Sequence, residues 1–261
     1  MISGDTLLSE DVSNKIKSFV QRNITTYQNK NPDNKELKII NNQLFEYIVS
    51  LGIVTQEFID YWMQLNVDDP EPLHLLAIAA EYSDSYIGPH LIRMSRYSAL
   101  LAEKMGLDAS MVENIKLAVP MHDIGKVGIP DDILLKPGKL SAEEFELIKD
   151  HTVMGANLLA SSTNPLLWLS AEIASSHHEK WDGSGYPLGV SGDEIPLVGQ
   201  IVGLLDVFEA ITSVRPYKPV YPDDVAWDYI NIESGDHFSP EVVKVFLKHF
   251  DEFIQIKDQV Q

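Results

Sequence analysis

The chain has 261 residues, enough for one or two domains and at least one substantial hydrophobic core. Its 20 Lys and Arg stand against 39 Asp and Glu, and the formal net charge of −19 argues against binding a nucleic-acid polymer or an anionic membrane, since both ligands need a basic field. Cysteine is absent, which excludes disulfide scaffolds, thiolate nucleophiles and Cys-ligated metal sites, so any bound metal must have nitrogen and oxygen ligands.

The composition is that of an ordinary soluble globular protein, with 44% hydrophobic and 23% charged residues. The first residues show no basic stretch followed by an apolar core, and no uncharged apolar run reaches the roughly 18 residues of a membrane-spanning helix. We therefore expect a cytoplasmic protein without a membrane partner.

Apolar residues recur at helical spacing along most of the chain, and no stretch alternates as a half-buried strand does. The sequence therefore predicts an all-α fold. The first 68 residues are too short and too free of alternating pattern for a doubly wound α/β domain, and the acidic, proline-containing stretch 68–72 is the best boundary. We accordingly predict a small helical N-terminal module of unknown role at 1–68 and a main domain at 69–261.

Two helices of the main domain can be outlined from local signals. A helical pattern runs over 73–105 with a break or bend near 88–89, where Gly precedes Pro. Ser141 and Glu144 have the spacing of a capping box. The helix that this box opens is predicted to have an inward face made of Phe145, Ile148, Gly155 and Leu159.

Five of the eight histidines and two aspartates follow a regular pattern along the main domain. His122 and Asp123 are adjacent, as are His177 and His178, and intervals of 26 to 32 residues separate the successive positions. Each interval is about one helix with its connection, so neighbouring helices of a bundle can bring ligands to one centre. The candidate metal ligands are His90, His122, Asp123, His151, His177, His178 and Asp206. The other histidines, which are predicted to be structural, are His74, His237 and His249.

The two aspartates are the strongest sign of a metal. Asp206 is the only charged residue in the apolar segment 197–208, which is predicted to be a buried helix, and Asp123 follows the apolar stretch 117–121. An ionised carboxylate in such surroundings costs several kcal/mol unless it is paired or bound to a cation. A carboxylate can also bridge two cations, so five imidazoles and two carboxylates suffice for a two-metal site.

Two long motifs occur in order along the main domain. The first, HDIGKVGIPDDILLKPG, occupies 122–138, and the second, HEKWDGSGYP, occupies 178–187. A further segment, DVFEAITSVRPYK, follows them at 206–218. Over about residues 75 to 255 the chain resembles the HD-GYP family of cyclic dinucleotide phosphodiesterases. The resemblance implies an HD-type helical bundle, a binuclear or trinuclear metal centre, and cyclic di-GMP, a bacterial signalling molecule, as the usual substrate.

The resemblance also implies an assignment of ligands to metals. The first ion would be held by His90, His122, Asp123 and Asp206, and the second by His151, His177 and His178, with Asp123 bridging. Some family members have a glutamate one helical turn before the first histidine, supporting a third metal; Tyr86 stands there in this chain and favours two ions. Glu209 replaces the family's usual aspartate, and we expect little consequence because it lies outside the ligand set.

Two metals about 3.5–4 Å apart would supply a bridging hydroxide to attack phosphorus, a template for phosphate oxygens and stabilisation of charge. Lys126 lies three residues after Asp123, on the same helical face, and is predicted to bind a phosphate oxygen or to protonate the leaving alkoxide. Ligation by nitrogen and oxygen fits iron, manganese, zinc, nickel or cobalt, and affinity order does not select among them. We expect iron or manganese.

Three further residues are predicted to contact the substrate. Arg215 and Lys218 are candidates for the phosphate that is not cut, although without the resemblance a generic basic turn explains them better. Tyr186 lies in the glycine-rich loop 182–187 and is predicted to stack on guanine or to bind a phosphate, whereas the glycines need only form the turn. The resemblance also implies that this loop, called the GYP loop, contacts partner proteins.

The sequence thus predicts a metal-dependent phosphodiesterase that converts cyclic di-GMP to pGpG, and it leaves open further cleavage to GMP. Cyclic GMP-AMP is an alternative substrate, because metals and phosphates do not distinguish the bases. A sensor that binds the nucleotide with little turnover is an alternative of a different class, and the complete ligand set argues against it. The sequence also leaves open whether the protein forms a homodimer.

Overall fold

The computed structural model describes residues 87–162, 164–213 and 221–260. Within these ranges the chain is helical and has no strand; a single isolated bridge joins Ser234 and Phe238. The prediction of an all-α fold is therefore confirmed. The predicted module at 1–68 and its boundary lie outside the described residues and stay predictions.

Nine α-helices and three short 3-10 turns follow one another in the described ranges. The helices are α1 Ile87–Lys104, α2 Ala109–Ala118, α3 Asp131–Leu134, α4 Ala142–Ala160, α5 Pro165–Ala174, α6 Leu197–Thr212, α7 Asp223–Ile232, α8 Pro240–Lys248 and α9 Phe250–Gln259. The 3-10 turns are Val119–Met121, Ile124–Gly128 and Gly192–Glu194.

Local sequence explains where the main helices begin. Helix α1 has Gly88 and Pro89 in its first turn, where a proline removes no helical hydrogen bond, so the predicted break coincides with a helix start. Helix α4 begins at the predicted capping box: the Ser141 hydroxyl accepts from the Glu144 amide at 3.2 Å, and the Glu144 carboxylate accepts from the Ser141 amide at 2.7 Å.

The core lies where α1, α2, α5 and α6 pack together, and α4 packs along α5 and over the turn Ile124–Gly128. Aromatic rings close the core on the side of α8 and α9. Phe208 of α6 is fully buried, with its ring centroid 5.2 Å from that of Phe246 and 5.4 Å from that of Tyr97. This rigid packing fixes the ends of α1, α5 and α6 relative to one another.

Two burial predictions are wrong. Phe145 was expected on the inward face of α4, yet 45% of its surface is exposed. The first two turns of α4 are largely exposed, and continuous burial begins only at His151, whereas Gly155 and Leu159 are buried as predicted. Asp206 is half-buried rather than buried, because it lies on the edge of α6 that faces His90 and His122.

No helix in the described part of the chain is long and apolar enough to span a membrane.

Candidate metal centre

Five elements converge on one buried centre. The first turn of α1 carries His90, and the link between two 3-10 turns carries His122 and Asp123. The middle of α4 and the middle of α6 supply one side chain each, His151 and Asp206. The segment just beyond the end of α5 supplies the last two, His177 and His178.

The seven side chains fall into two groups. In the first, ligand atoms of His90, His122 and Asp206 all lie within 4.8 Å of one another. In the second, the same limit of 4.8 Å holds for Asp123, His151, His177 and His178. Each group has the size and chemistry of a site for one divalent cation, with imidazole nitrogens and carboxylate oxygens as ligands.

Backbone carbonyls set the tautomer of three of these histidines. Nδ1 of His122 lies 2.9 Å from the Val119 carbonyl, and Nδ1 of His151 lies 2.6 Å from the Ile148 carbonyl. Nδ1 of His177 lies 3.0 Å from the carbonyl of Ile173 and 3.1 Å from that of Ala174. Because a carbonyl only accepts, each Nδ1 must carry the proton and each Nε2 keeps its lone pair for the centre. Metal-binding histidines are commonly oriented in this way.

Asp123 lies between the two groups and is buried. Its Oδ2 is 3.3 Å from Nε2 of His122, while its Oδ1 is 3.1 Å from Nε2 of His151 and 3.7 Å from Nε2 of His177. The two oxygens thus face different histidine groups, as a carboxylate that bridges two cations would require. Lys126 also contacts Oδ2 of Asp123 through its ammonium group.

The protonation states suit a cation centre. Burial opposes ionisation of Asp123, but Lys126 and His122 outweigh it and hold the pKa of the carboxyl well below its usual range. Burial lowers the pKa of His177, and burial together with His177 and His151 holds the pKa of His178 well below its usual value. The carboxylate is therefore ionised and these imidazoles are neutral at pH 7, which are the forms that bind metals. The donor set fits a divalent cation.

A buried ion pair behind His90 was missed by the sequence analysis. The Glu209 side chain is 1% exposed, and its Oε1 lies 2.5 Å from Nη2 of Arg93 and 3.5 Å from Nδ1 of His90. Burial opposes ionisation of Glu209, but His90 and Arg93 reverse this effect and lower its pKa to about 2. Glu209 lies outside the ligand groups, as expected, but it contacts a member of one of them. The sequence feature that could have indicated the pair is spacing, because Arg93 follows His90 by three residues and Glu209 follows Asp206 by three.

The GYP loop closes one side of the centre. Its Tyr186 ring lies 4.8 Å from the His178 ring, while Gly185 packs so closely that an added Cβ would lie 2.3 Å from the Lys180 amide nitrogen. The loop is tied to the turn before α8, because the Asp182 amide donates to the Asp236 carbonyl at 2.9 Å and the amide of the preceding Trp181 donates to the His237 carbonyl at 3.0 Å. The structure therefore brings Tyr186 beside the second ligand group and places His237 in a supporting turn.

Arg215 and Lys218, Tyr86 and His74 all lie outside the described residues. His249 lies between α8 and α9, where its Nδ1 is 2.7 Å from Glu252, and it takes no part in the centre.

Together these features define a helical protein with a buried histidine and aspartate centre suited to divalent cations. Residues 74–242 match the HD domain family, and the chain belongs to that family.

Three relatives match two thirds of the chain or more. A protein of Thermotoga maritima named cyclic di-GMP phosphodiesterase is 49% identical over 178 residues, which cover 68% of this chain and 48% of the relative. A 3'3'-cGAMP-specific phosphodiesterase 2 of Vibrio cholerae is 40% identical, over 85% of this chain and 43% of the relative. The cyclic di-GMP phosphodiesterase response regulator RpfG of Xanthomonas campestris is 43% identical, over 72% of this chain and 50% of the relative. The chain spans half the length of these relatives or less.

Proposed function

We propose that this chain is a metal-dependent phosphodiesterase that hydrolyses cyclic di-GMP to the linear dinucleotide pGpG. The observation that carries the proposal is Asp123, whose two oxygens face two separate histidine groups. Two-metal centres of this kind serve the in-line displacement of phosphate esters. The names of the Thermotoga and Xanthomonas relatives support cyclic di-GMP as the substrate.

We assign one cation to His90, His122 and Asp206 and a second to His151, His177 and His178, with Asp123 shared between them. When bound, two divalent cations supply an activated water and stabilise negative charge on phosphorus. Iron and manganese are the metals we propose, and Tyr86 in place of the third-metal glutamate supports two ions.

The chain's own residues complete the reaction. Water attacks phosphorus, the bond from phosphorus to the ribose 3' oxygen breaks, and the leaving oxygen takes up a proton. Lys126 is the proposed proton donor or phosphate ligand, because its ammonium group reaches Asp123 at the centre. Tyr186 orients the nucleotide beside His178, and Arg215 and Lys218 are proposed to bind the phosphate that is not cut.

Product analysis tests the reaction directly. The purified protein, loaded with Mn²⁺ or with Fe²⁺ under anaerobic conditions, is incubated with cyclic di-GMP or cyclic GMP-AMP and the products are separated by chromatography. We expect pGpG from cyclic di-GMP. Samples taken later in the reaction show whether pGpG is cleaved further to GMP. Cyclic GMP-AMP is a second candidate because the Vibrio relative named for it aligns over 85% of this chain. Tight binding of cyclic di-GMP without turnover by the metal-loaded protein would instead establish a sensor.

Asp123→Ala tests the shared ligand. Because this substitution removes the carboxylate common to both groups, we expect loss of both metals by elemental analysis and loss of hydrolysis. Asp131→Ala is the matched control, since Asp131 is an exposed aspartate of the same motif and its removal should leave both metals bound. Two metals per chain in Asp123→Ala would refute the assignment.

A further inference from the structure

A row of aromatic rings leads from the centre to the surface. The His178 ring lies 4.8 Å from the Tyr186 ring, and the Tyr186 ring lies 6.3 Å from the Phe145 ring, which meets it nearly at a right angle. His178 and Tyr186 are half-buried, whereas Phe145 is 45% exposed. The row therefore ends in an open aromatic surface.

Lys149 places a positive charge beside the outer two rings. Its Nζ lies 5.1 Å from the ring centroid of Phe145 and 5.6 Å from that of Tyr186. It also forms an ion pair with Glu146 at 2.6 Å, but the Glu146 side chain is 70% exposed. Such surface pairs contribute little free energy, so the ammonium can turn to a ligand at small cost.

Helix α4 carries Phe145 and Lys149 as well as one residue of the centre, His151. Phe145 and Lys149 are four residues apart and share one face of the helix, and His151 follows within the next turn. In a nucleotide the sugar separates the base from the phosphate. A phosphate at the centre therefore leaves its base outside the ligand groups, and Tyr186 and Phe145 are the rings that lead outwards from His178.

We propose that Phe145 and Lys149 form the subsite for one guanine base of the substrate, an inference that rests on the proposed function. The base stacks on the open surface of Phe145, and the Lys149 ammonium donates hydrogen bonds to guanine O6 and N7. Adenine presents an amino donor in place of O6, so the same lysine disfavours it. The subsite thereby supplies the base selectivity that metals and phosphate ligands cannot.

Steady-state kinetics with cyclic di-GMP test the stacking. Loss of one base–aromatic stack should raise KM of Phe145→Ala by roughly ten- to hundredfold, with little change in kcat or metal content. Phe145→Trp should retain the low KM because it keeps an aromatic face. Leu147→Ala is the matched control: Leu147 is also 45% exposed on the same helix but belongs to no part of the row, so its KM should equal that of the parent protein. An unchanged KM in Phe145→Ala overturns the proposal and makes the exposed ring a contact for another molecule.

Binding of mononucleotides separates this inference from the proposed function. Calorimetry on the metal-loaded protein measures Kd for GMP and AMP, and neither measurement needs turnover. We expect GMP to bind about tenfold more tightly than AMP, and Lys149→Ala to abolish that preference while the affinity for AMP changes little. If cyclic dinucleotides are not hydrolysed but this preference and its loss are observed, the subsite stands and the phosphodiesterase proposal fails. Equal effects of Lys149→Ala on GMP and AMP would reject the guanine contact.

Discussion

Arg93 and Glu209 form a buried ion pair directly behind His90. Arg93 donates to Glu209 through Nε at 3.0 and 3.1 Å and through Nη2 at 2.5 Å, and its Nη1 donates to the Val260 carbonyl at 2.8 Å. The pair therefore joins α1, α6 and the end of α9. Since Glu209 also lies 3.5 Å from Nδ1 of His90, it can hold the ring with Nε2 towards the centre.

We predict that Glu209→Ala weakens metal binding by about ten- to hundredfold, the usual effect of removing the partner of a metal-bound histidine. Competition with a chelator measures the affinity. Because the substitution also leaves Arg93 buried without its counter-charge, thermal unfolding of the metal-free protein must be recorded in parallel.

Glu209→Asp is the rescue variant, which distinguishes positioning of the His90 ring from general stabilisation of the fold. It keeps the negative charge, and the HD-GYP family usually has aspartate here, so metal affinity should return towards that of the parent protein. If Glu209→Ala lowers the unfolding temperature but leaves metal affinity unchanged, Glu209 acts on stability alone.

The contrast between the candidate ligands and Glu209 shows which residues can be predicted from sequence. A charged or imidazole side chain in an apolar segment must find a partner, so Asp123 and its histidines stand out along the chain. The structure brings them together. Glu209 also lies in an apolar segment, but its partner Arg93 is 116 residues away, and only the packing of α1 on α6 reveals the pair.

At the scale of elements, the turn Ile124–Gly128 lies unusually close to α4. A Cβ on Gly125 would lie 1.9 Å from the His151 carbonyl oxygen and 2.5 Å from the Gly155 amide nitrogen. Both are backbone atoms of a packed helix, so neither can move aside without shifting α4. The close approach keeps Asp123 against His151.

Gly125→Ala should therefore destabilise the fold by several kcal/mol and separate Asp123 from His151, because over-packing against backbone is not relieved by a rotamer change. Gly128→Ala is the matched control: the three atoms nearest to a Cβ there all belong to the flexible side chain of Met154, with its sulfur at 2.6 Å. Chemical denaturation and metal content check both variants. Equal losses for the two alanines would contradict this role for the close packing.

Helix α4 also marks the limit of prediction from periodicity. Its capping box and its inward Gly155 and Leu159 were predicted from local spacing, and the structure confirms them. Phe145 fits the same spacing but is exposed, because burial depends on how far the neighbouring α5 extends along α4. That length is set by tertiary packing and is not encoded in the pattern of one helix.

For the molecule as a whole, the charge of −19 opposes an anionic substrate at long range. Lys126 and Lys149 supply positive charge near the described centre, and the proposed cations would add more. The acidic surplus therefore disfavours extended polyanions, whose binding depends on a basic field, but it is compatible with a compact dianion. Binding must come from short-range contacts at the buried centre, where screening by salt is weaker.

Global stability should depend on one buried carboxyl outside the centre. Burial raises the pKa of Glu172 on α5 from 4.5 to about 7. Between these two pH values this carboxyl ionises in the unfolded chain but stays protonated in the folded protein, so its contribution to the free energy of unfolding falls as pH rises and levels off above about pH 7. Below pH 4.5 the carboxyl is neutral in both states and costs nothing.

Glu172→Gln removes the ionisable group and keeps its shape, so the variant should match the parent protein at pH 4 and exceed its stability at pH 8 by about 1–3 kcal/mol. Denaturant unfolding of metal-free protein from pH 4 to 8 measures the difference and avoids the release of metal by protonated histidines. Glu103→Gln, at an exposed position of α1, should follow the parent protein throughout. A stability difference for Glu172→Gln that does not vary with pH would show that the carboxyl ionises normally in the folded protein.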